Sequence, residues 1–395
     1  MTAINTNATS NWNQTKYAKT VSALLFTKSV AMSLANTELR ASMPDGNTIV
    51  RPTTSFLGIQ QYTPNNTATY DNLTLGNETL VINDTPMVAF TLDQINEDDA
   101  GWNISMNTME NVAKLLREYV DGKFFAQVLN FGNNFWTTTA LSKTNAVDTL
   151  LDAYAILSNA GADDTKLVTV LDAYAIAKVG QNAVNSTFTL SDRVYTAGFT
   201  GKEVVGTKLV KSDNLTMVGT FIVGAQPTDW DVVEINGYTF TFKTTLGSTA
   251  GQVLIGASAT TAGANLAAAI NGTTAGTSHV ALSAADRNKY MRGLSATAAT
   301  GTVTFTSTRG YRGASSFSKT MTSASNKFGQ FVIYACIMEE GAIHMVMRDN
   351  VKSVTGRIPA SVVYEYLTWS RFGLKVFADG AERGLIIPIE ARAAE

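Results

Sequence analysis

The chain has 395 residues, 30 Lys and Arg against 32 Asp and Glu, and a formal net charge of −2. Apolar residues make up 45% and charged residues only 16%, well below the usual quarter, with Thr, Asn, Ser and Ala filling the difference. This length accommodates two or three modules with sizeable cores, the near-zero charge excludes a basic footprint for tight nucleic-acid binding, and the single cysteine excludes a disulfide framework. A surface rich in hydroxyls and amides is also easier to bury against another subunit, because fewer ions must be desolvated.

Residues 1–19 are polar and read as an extended arm, without the basic start and apolar run of a secretory signal. Lys19 to Leu39 reads as a helix burying Val21, Leu24, Leu25, Val30 and Leu34, broken by Pro44-Asp45-Gly46. From Asn47 to Ala89 the β-branched and aromatic content predicts a long two-stranded excursion that turns around Tyr62 to Asn66. A hairpin alone is marginally stable, so this one has to lean on its own chain or on a neighbour.

MVAFTLDQI continues as a strand, followed by the acidic stretch Glu97-Asp98-Asp99. A long helix is expected from Ser105, with Asn107 and Glu110 as a capping box and Met109, Val112, Leu116, Tyr119, Val120, Phe124 and Val128 at helical spacing, until Gly132 stops it. At about 1.5 Å per residue it would be roughly 35 Å long. A second helix is expected over Ala146 to Ala160 with Gly161 as its stop, then a short buried strand LVTVLD and a short helix AYAIAKVGQ. Val204 to Val210 and Leu215 to Gly219 read as extended.

Thr244 to Ala285 contains no Asp, Glu, Lys or Arg. It is not a linker. DVVEINGYTFTFKTT alternates strictly around Asn236-Gly237, a strong hairpin signal, TAGANLAAAI reads as a helix stopped by Asn271-Gly272, and TVTFTSTR as a further strand. After Lys327, FVIYACIMEEGAIHMVM reads as a buried strand followed by another element. VVYEYLTWSRFGLKVFADGAERGLIIPIEA reads as two strands joined by Asp379-Gly380, the second ending near Pro388.

Catalytic chemistry is not visible. His279 lies in the charge-free stretch, and His344 and Cys336 in apolar runs, so each reads as structural. One Cys and two distant His cannot assemble a Cys/His zinc site. The adjacent pairs Asp98-Asp99, Asp163-Asp164 and Glu339-Glu340 read as capping or solvated groups, and Ser361 with Tyr364, Tyr366 and Trp369 as a strand packing its aromatics. No nucleophile elbow, phosphate loop or His-Glu-x-x-His occurs. No enzyme activity, cofactor or metal is expected. The run Phe331 to Met338 is too short to span a bilayer, so no membrane partner is expected either.

The order of pieces resembles the major capsid protein of tailed bacteriophages, the Hong-Kong-97-like fold. Polar arm, short helix, β excursion, strand, acidic stretch, long amphipathic helix, mixed α/β region and closing strands follow one another over residues 1–220 and 328–395. The resemblance implies an α+β fold with a long spine helix, an extended E-loop, an N-terminal arm and a small mixed α/β insertion domain. Its divisions would be an arm and helix over 1–46, the E-loop over 47–86, and a peripheral domain from 87–138 and 351–395. An axial domain from 139–221 and 328–350 and an insertion domain over 222–327 would complete it.

The function so implied is a shell protein that self-assembles into an icosahedral capsid around a double-stranded DNA genome, in the virion and assembled in the host cytoplasm. Pentamers and hexamers of the chain would be the homo-oligomer, with Phe56, Leu57, Ile59, Tyr62 and Tyr70 as the candidate contacts between subunits. Scaffolding, portal and decoration proteins and weak, sequence-independent contact with packaged DNA are the other implied partners. One departure is sharp: no lysine occurs between Lys28 and Lys114, so the covalent E-loop cross-link that some members make is not expected here. The alternative reading is another virion structural protein, such as a tail-tube or spike subunit.

Overall fold

The computed structural model describes residues 20–25, 29–39, 46–54, 75–93, 104–185, 203–204, 207–272, 276–308, 317–357 and 363–393. In chain order the strands are β1 (Thr48–Thr54), β2 (Leu75–Val81), β3 (Met87–Asp93), β4 (Asn133–Asn134), β5 (Leu167–Leu171) and β6 (Glu203–Val204). Then come β7 (Thr207–Lys211), β8 (Met217–Val223), β9 (Val232–Ile235), β10 (Tyr238–Lys243), β11 (Gln252–Leu254) and β12 (Leu294–Ala299). β13 (Thr302–Ser307), β14 (Phe317–Thr320), β15 (Asn326–Glu339), β16 (Ile343–Arg357), β17 (Val363–Val376) and β18 (Gly384–Arg392) complete them. The helices are α1 (Val30–Leu34), α2 (Ile104–Ala126), α3 (Ala146–Asn159), α4 (Ala173–Asn185), α5 (Ala259–Asn271), α6 (Ala284–Tyr290) and α7 (Ala378–Ala381).

The described residues fall into two compact units. One takes its residues from 1–28, 34–117 and 341–378, the other from 29–33, 118–340 and 379–395. The first holds the antiparallel ribbon β1–β2 and a three-stranded sheet ordered β16-β17-β3. Ile49, Leu80, Ile82, Val346 and Phe377 form its buried cluster, with Leu39 packed against it.

The second unit is built on a nine-stranded sheet. Its main path runs β12-β13-β8-β15-β5-β7-β6, and β18 pairs with β15 on one side and β4 on the other. β5 is buried at all five positions, as fits a strand flanked on both edges, antiparallel to β15 and parallel to β7. Its Thr169 hydroxyl meets that of Thr207 at 2.6 Å, satisfying both inside the sheet. α2 runs through both units, its residues to Arg117 counted with the first and those from Glu118 with the second. Its 23 residues give a helix of about 35 Å, and Val112, Leu116, Val120 and Phe124, four residues apart, are all buried.

Residues 222–327 divide between two sheets. β9, β10, β11 and β14 form a four-stranded sheet ordered β11-β10-β9-β14, while β12 and β13 continue the nine-stranded sheet through the β13–β8 pairing. Phe221, Phe305, Phe317, Phe328 and Phe331 interlock where these strands meet, ring centroids 4.6–6.3 Å apart. The β9–β10 turn takes φ of +56° at Asn236 and +78° at Gly237, the pattern of a type I′ turn that the Asn-Gly pair predicts. α5 starts at the cap Ser258, whose hydroxyl accepts from Thr261 N–H, and stops at Gly272 with φ of +58°.

Several sequence expectations are corrected. The single helix expected over Lys19 to Leu39 is interrupted: residues 20–25 and Val30–Leu34 are helical, but Ser29 is not. Its hydroxyl instead accepts from Met32 N–H and donates to the buried carboxylate of Asp121 at 2.5 Å, as a cap does. α2 begins at Ile104, so Asn107 lies within the helix and is not its N-cap. Asp379-Gly380 sits in the short helix α7 and does not join a hairpin: β17 and β18 belong to different sheets. β18 pairs with β15 on one side and with β4 on the other.

β18 also does not end at Pro388. Tyr334, the residue opposite Pro388 on β15, donates its N–H to Thr216 on the far side. The ring nitrogen of Pro388 thus faces the outer side of β18, where a proline removes no bond to β15. On that side Thr139 N–H donates to Pro388 O at 3.1 Å and Glu390 N–H to Thr139 O at 2.9 Å.

Candidate functional site

The β1–β2 ribbon is held at its root. The register pairs Ile49 with Leu80 and Thr48 with Val81, so alternation puts Ile49 and Leu80 on one face and Val50, Leu75 and Val81 on the other. The first face packs into the buried cluster. The Phe377 ring receives the guanidinium of Arg51 at 5.0 Å and the ammonium of Lys375 at 5.4 Å. Lys375 Nζ also donates to Thr79 O at 2.8 Å, and Ala378 N–H donates to Glu78 Oε1 at 3.1 Å.

Beyond the root, the chain from Ile82 to Pro86 runs along β17. Asp84 and Phe372 exchange backbone bonds of 3.0 and 3.1 Å. Gly373 makes this approach feasible: a Cβ there would lie 2.5 Å from Val81 O and 2.9 Å from Leu80 Cδ2.

The ribbon's other face stays in solvent. Val50 and Val81 are exposed and Leu75 is 74% exposed. A second apolar surface lies on the three-stranded sheet, where cross-strand rows align Lys352, Trp369 and Met87, then Val354, Leu367 and Ala89. Met87 is 62% exposed, Val354 is exposed, and Leu367 and Trp369 are half-buried. The expected contacts Phe56, Leu57, Ile59, Tyr62 and Tyr70 lie outside the described residues.

The titratable groups have local structural roles. Asp163 caps a 3₁₀ turn: the Thr165 hydroxyl, the Lys166 ammonium and the Thr165 N–H, in that order, hold its carboxyl at about 2. Glu339 faces Arg383 at 3.8 Å and Glu340 pairs with Lys208 at 2.9 Å. Complete burial pushes the Cys336 thiol up to about 12, which leaves it protonated and inert. His344 is buried edge-on to Phe377, and His279 is buried with Nδ1 2.9 Å from the Ser278 hydroxyl. Among the described residues no three His, Cys, Asp or Glu side chains gather as a metal site, and no helix is long and apolar enough to cross a membrane. Tyr366 stacks on Phe90, centroids 4.9 Å apart.

Two exposed tryptophans were not singled out in the sequence. Trp136 is 86% exposed, in the stretch running beside β18 opposite Pro388. Phe135 N–H donates to Ile386 O and Thr139 N–H to Pro388 O, but Pro388 offers no N–H to the residues between, and Trp136 turns outward there. Trp230 is 70% exposed and adopts φ of +73°, a left-handed conformation costing an aromatic residue about 1–2 kcal/mol. Pro227-Thr228-Asp229 before it marks a turn in the sequence, but not which residue takes the strain.

No family model matches the sequence, and no curated protein matches it. In fold the chain is similar to a structure from Mycobacterium phage Che8, with a TM-score of 0.54 at 12% identity and 91% of each chain covered. A structure of the bacteriophage PhiM1 mature capsid gives a TM-score of 0.47 at 8% identity, covering 92% of this chain and 87% of that one. The capsid of Myoviridae phage XM1 gives 0.44 at 10% identity, covering 90% and 88%. The similarity in fold to the phage Che8 structure thus extends over about nine-tenths of the chain.

Proposed function

We propose that this chain is the shell-forming subunit of a tailed-phage particle, assembling with copies of itself into a closed capsid around double-stranded DNA. The observation that carries the reading is the β1–β2 ribbon, packed at its root and apolar on the face that its own unit leaves in solvent. A two-stranded ribbon does not hold itself together in water, and its exposed Val50, Leu75 and Val81 have a natural counterpart in the apolar sheet face around Met87 and Val354 of another copy. The similarity in fold to the Che8 structure supports the same reading. Residues 47–86 would then be the E-loop, with Phe56, Leu57, Ile59, Tyr62 and Tyr70 at its contacts, α2 the spine helix, and 222–327 the insertion. Assembly would be non-covalent at the E-loop, since that segment has no lysine.

The test is to express the chain and image it by negative stain. Closed shells, or rings of five and six, are expected. Substituting Val50, Leu75 and Val81 together by Thr should stop assembly and leave the circular dichroism spectrum unchanged. A monomer at high protein concentration would overturn the reading, and long tubes would favour a tail-tube subunit instead.

A further inference from the structure

Trp230 stands at the entrance to β9 with its ring fixed from one side. Lys243 Nζ lies 3.3 Å from the ring centroid, and the same ammonium pairs with Asp229 at 2.9 Å. Asp229 in turn accepts from Thr244 N–H at 2.8 Å and from the Thr244 hydroxyl at 3.2 Å. The backbone is pinned as well: Trp230 N–H donates to Phe242 O at 2.9 Å, and Asp231 bonds both Thr228 and Thr322. The result is an indole plate held from one side yet 70% exposed, on a backbone whose φ of +73° opposes the preference of an aromatic residue. Strain of this kind persists only where the surroundings enforce it, and it clusters at ligand clamps.

The surroundings decide what such a plate fits. Among the described residues of 222–327, Trp230 is the sole large apolar side chain that is exposed. A protein interface of standard size needs about 800 Å² per partner with an apolar core, and one isolated indole does not supply it. The two charges beside the ring neutralise each other, and the exposed neighbours Thr228 and Thr244 offer hydroxyls. A pyranose matches this arrangement: one face of the sugar is a flat set of polarised C–H groups that an electron-rich ring attracts, and its rim is a set of neutral hydroxyls.

We propose that Trp230, backed by Lys243 and Asp229, is a saccharide-binding platform for the hexose units of a polysaccharide. The site is single-faced and shallow, so the dissociation constant for one sugar is on the order of millimolar.

The test is titration of the full chain with glucose, galactose and N-acetylglucosamine and their short β-linked oligomers, followed by the indole N–H resonance of Trp230 and, in every variant, by the backbone amide resonances of Thr228 and Thr244. We expect saturable shifts at the Trp230 indole with at least one of these sugars, and an affinity, read at the backbone amides of Thr228 and Thr244, that is unchanged in Trp136→Ala and weakened at least about tenfold in Trp230→Gly. Glycine accepts positive φ, so Trp230→Gly should melt no lower than the parent, which separates a binding role from a structural one. No shift with any sugar, or a shift that survives in Trp230→Gly, overturns the proposal. So does a Trp230 resonance that responds to protein concentration and not to sugar, which would make the residue a contact between copies.

Discussion

The side-chain amide of Asn271 brackets the backbone of Ala296: Asn271 Nδ2 donates to Ala296 O at 2.7 Å, and Ala296 N–H donates to Asn271 Oδ1 at 2.9 Å. β12 is the edge of the nine-stranded sheet, and its sequence LSATAA has neither charge nor proline. Unprotected edges of that composition template pairing with other chains. Asn271, the last residue of α5, supplies the donor and acceptor that a neighbouring strand would otherwise bring. Replacing it with Leu should cost about 1–3 kcal/mol and make the chain associate through β12. Urea denaturation and sedimentation against concentration would show both effects, and an unchanged sedimentation profile would remove the edge-blocking role.

Asp231 ties the entry of the 222–327 region to its exit. Its carboxylate accepts from Thr228 N–H at 2.8 Å, Thr322 N–H at 2.8 Å and the Thr322 hydroxyl at 2.9 Å. Burial alone would raise its pKa, but these bonds outweigh it and the net shift is downward from 3.8. A lowered folded value means the stabilisation is complete above 3.8 and fades as pH falls through the folded pKa. Asp231→Ala should lose about 1–3 kcal/mol at neutral pH by leaving two backbone donors unmet. It should also flatten the acid limb of a melting-temperature profile below pH 4, and a variant with the parent's acid limb would place that sensitivity elsewhere.

The turn between β12 and β13 puts Thr300 at φ of +47°, followed by Gly301 at +83°. A β-branched residue is strained there, whereas Asn tolerates the conformation. Thr300→Asn is therefore expected to stabilise by about 0.5–1 kcal/mol, read as a rise in the denaturation midpoint at constant slope.

At Gly373 the opposite holds. A methyl group there would drive into Val81 O and the Leu80 side chain, prising the ribbon from β17. Gly373→Ala should cost about 1–3 kcal/mol and raise hydrogen exchange at Asp84, Ser370 and Phe372, whose amides bond across this seam. Unaltered exchange at these three amides would show that the seam tolerates the methyl.

What the sequence disclosed was local. Asn236-Gly237 made its hairpin legible because both residues favour positive φ, and the stop of α5 was legible because Gly272 accepts it. The stripe Val112, Leu116, Val120, Phe124 announced α2 through its own spacing. Pro388 misled because whether a strand tolerates proline depends on which side its nitrogen faces, and that is set by its register opposite Tyr334 on β15. Asn107 misled because Asn is as common in turns as at helix caps, and Ser29 was hidden because its partner, Asp121, is remote in sequence. Of the candidate surface, the excursion was visible as a composition, but the identity of its packed face depended on the register of Ile49 with Leu80. Trp230 gave no signal, because the bond that holds its backbone, Trp230 N–H to Phe242 O, comes from outside its own turn.

β8 is flanked by β13 and β15, and both come later in the chain. When the ribosome has completed β8, about 80 residues must follow before Thr302 can pair with Ile222. At about 5–20 residues per second this is about 4–16 s. Throughout that interval an alternating strand, MVGTFIV, has neither of its neighbours. Nascent chains of this protein thus emerge with a sticky segment that only distal sequence can cover, and crowded translation is when they are most exposed to off-pathway pairing with one another.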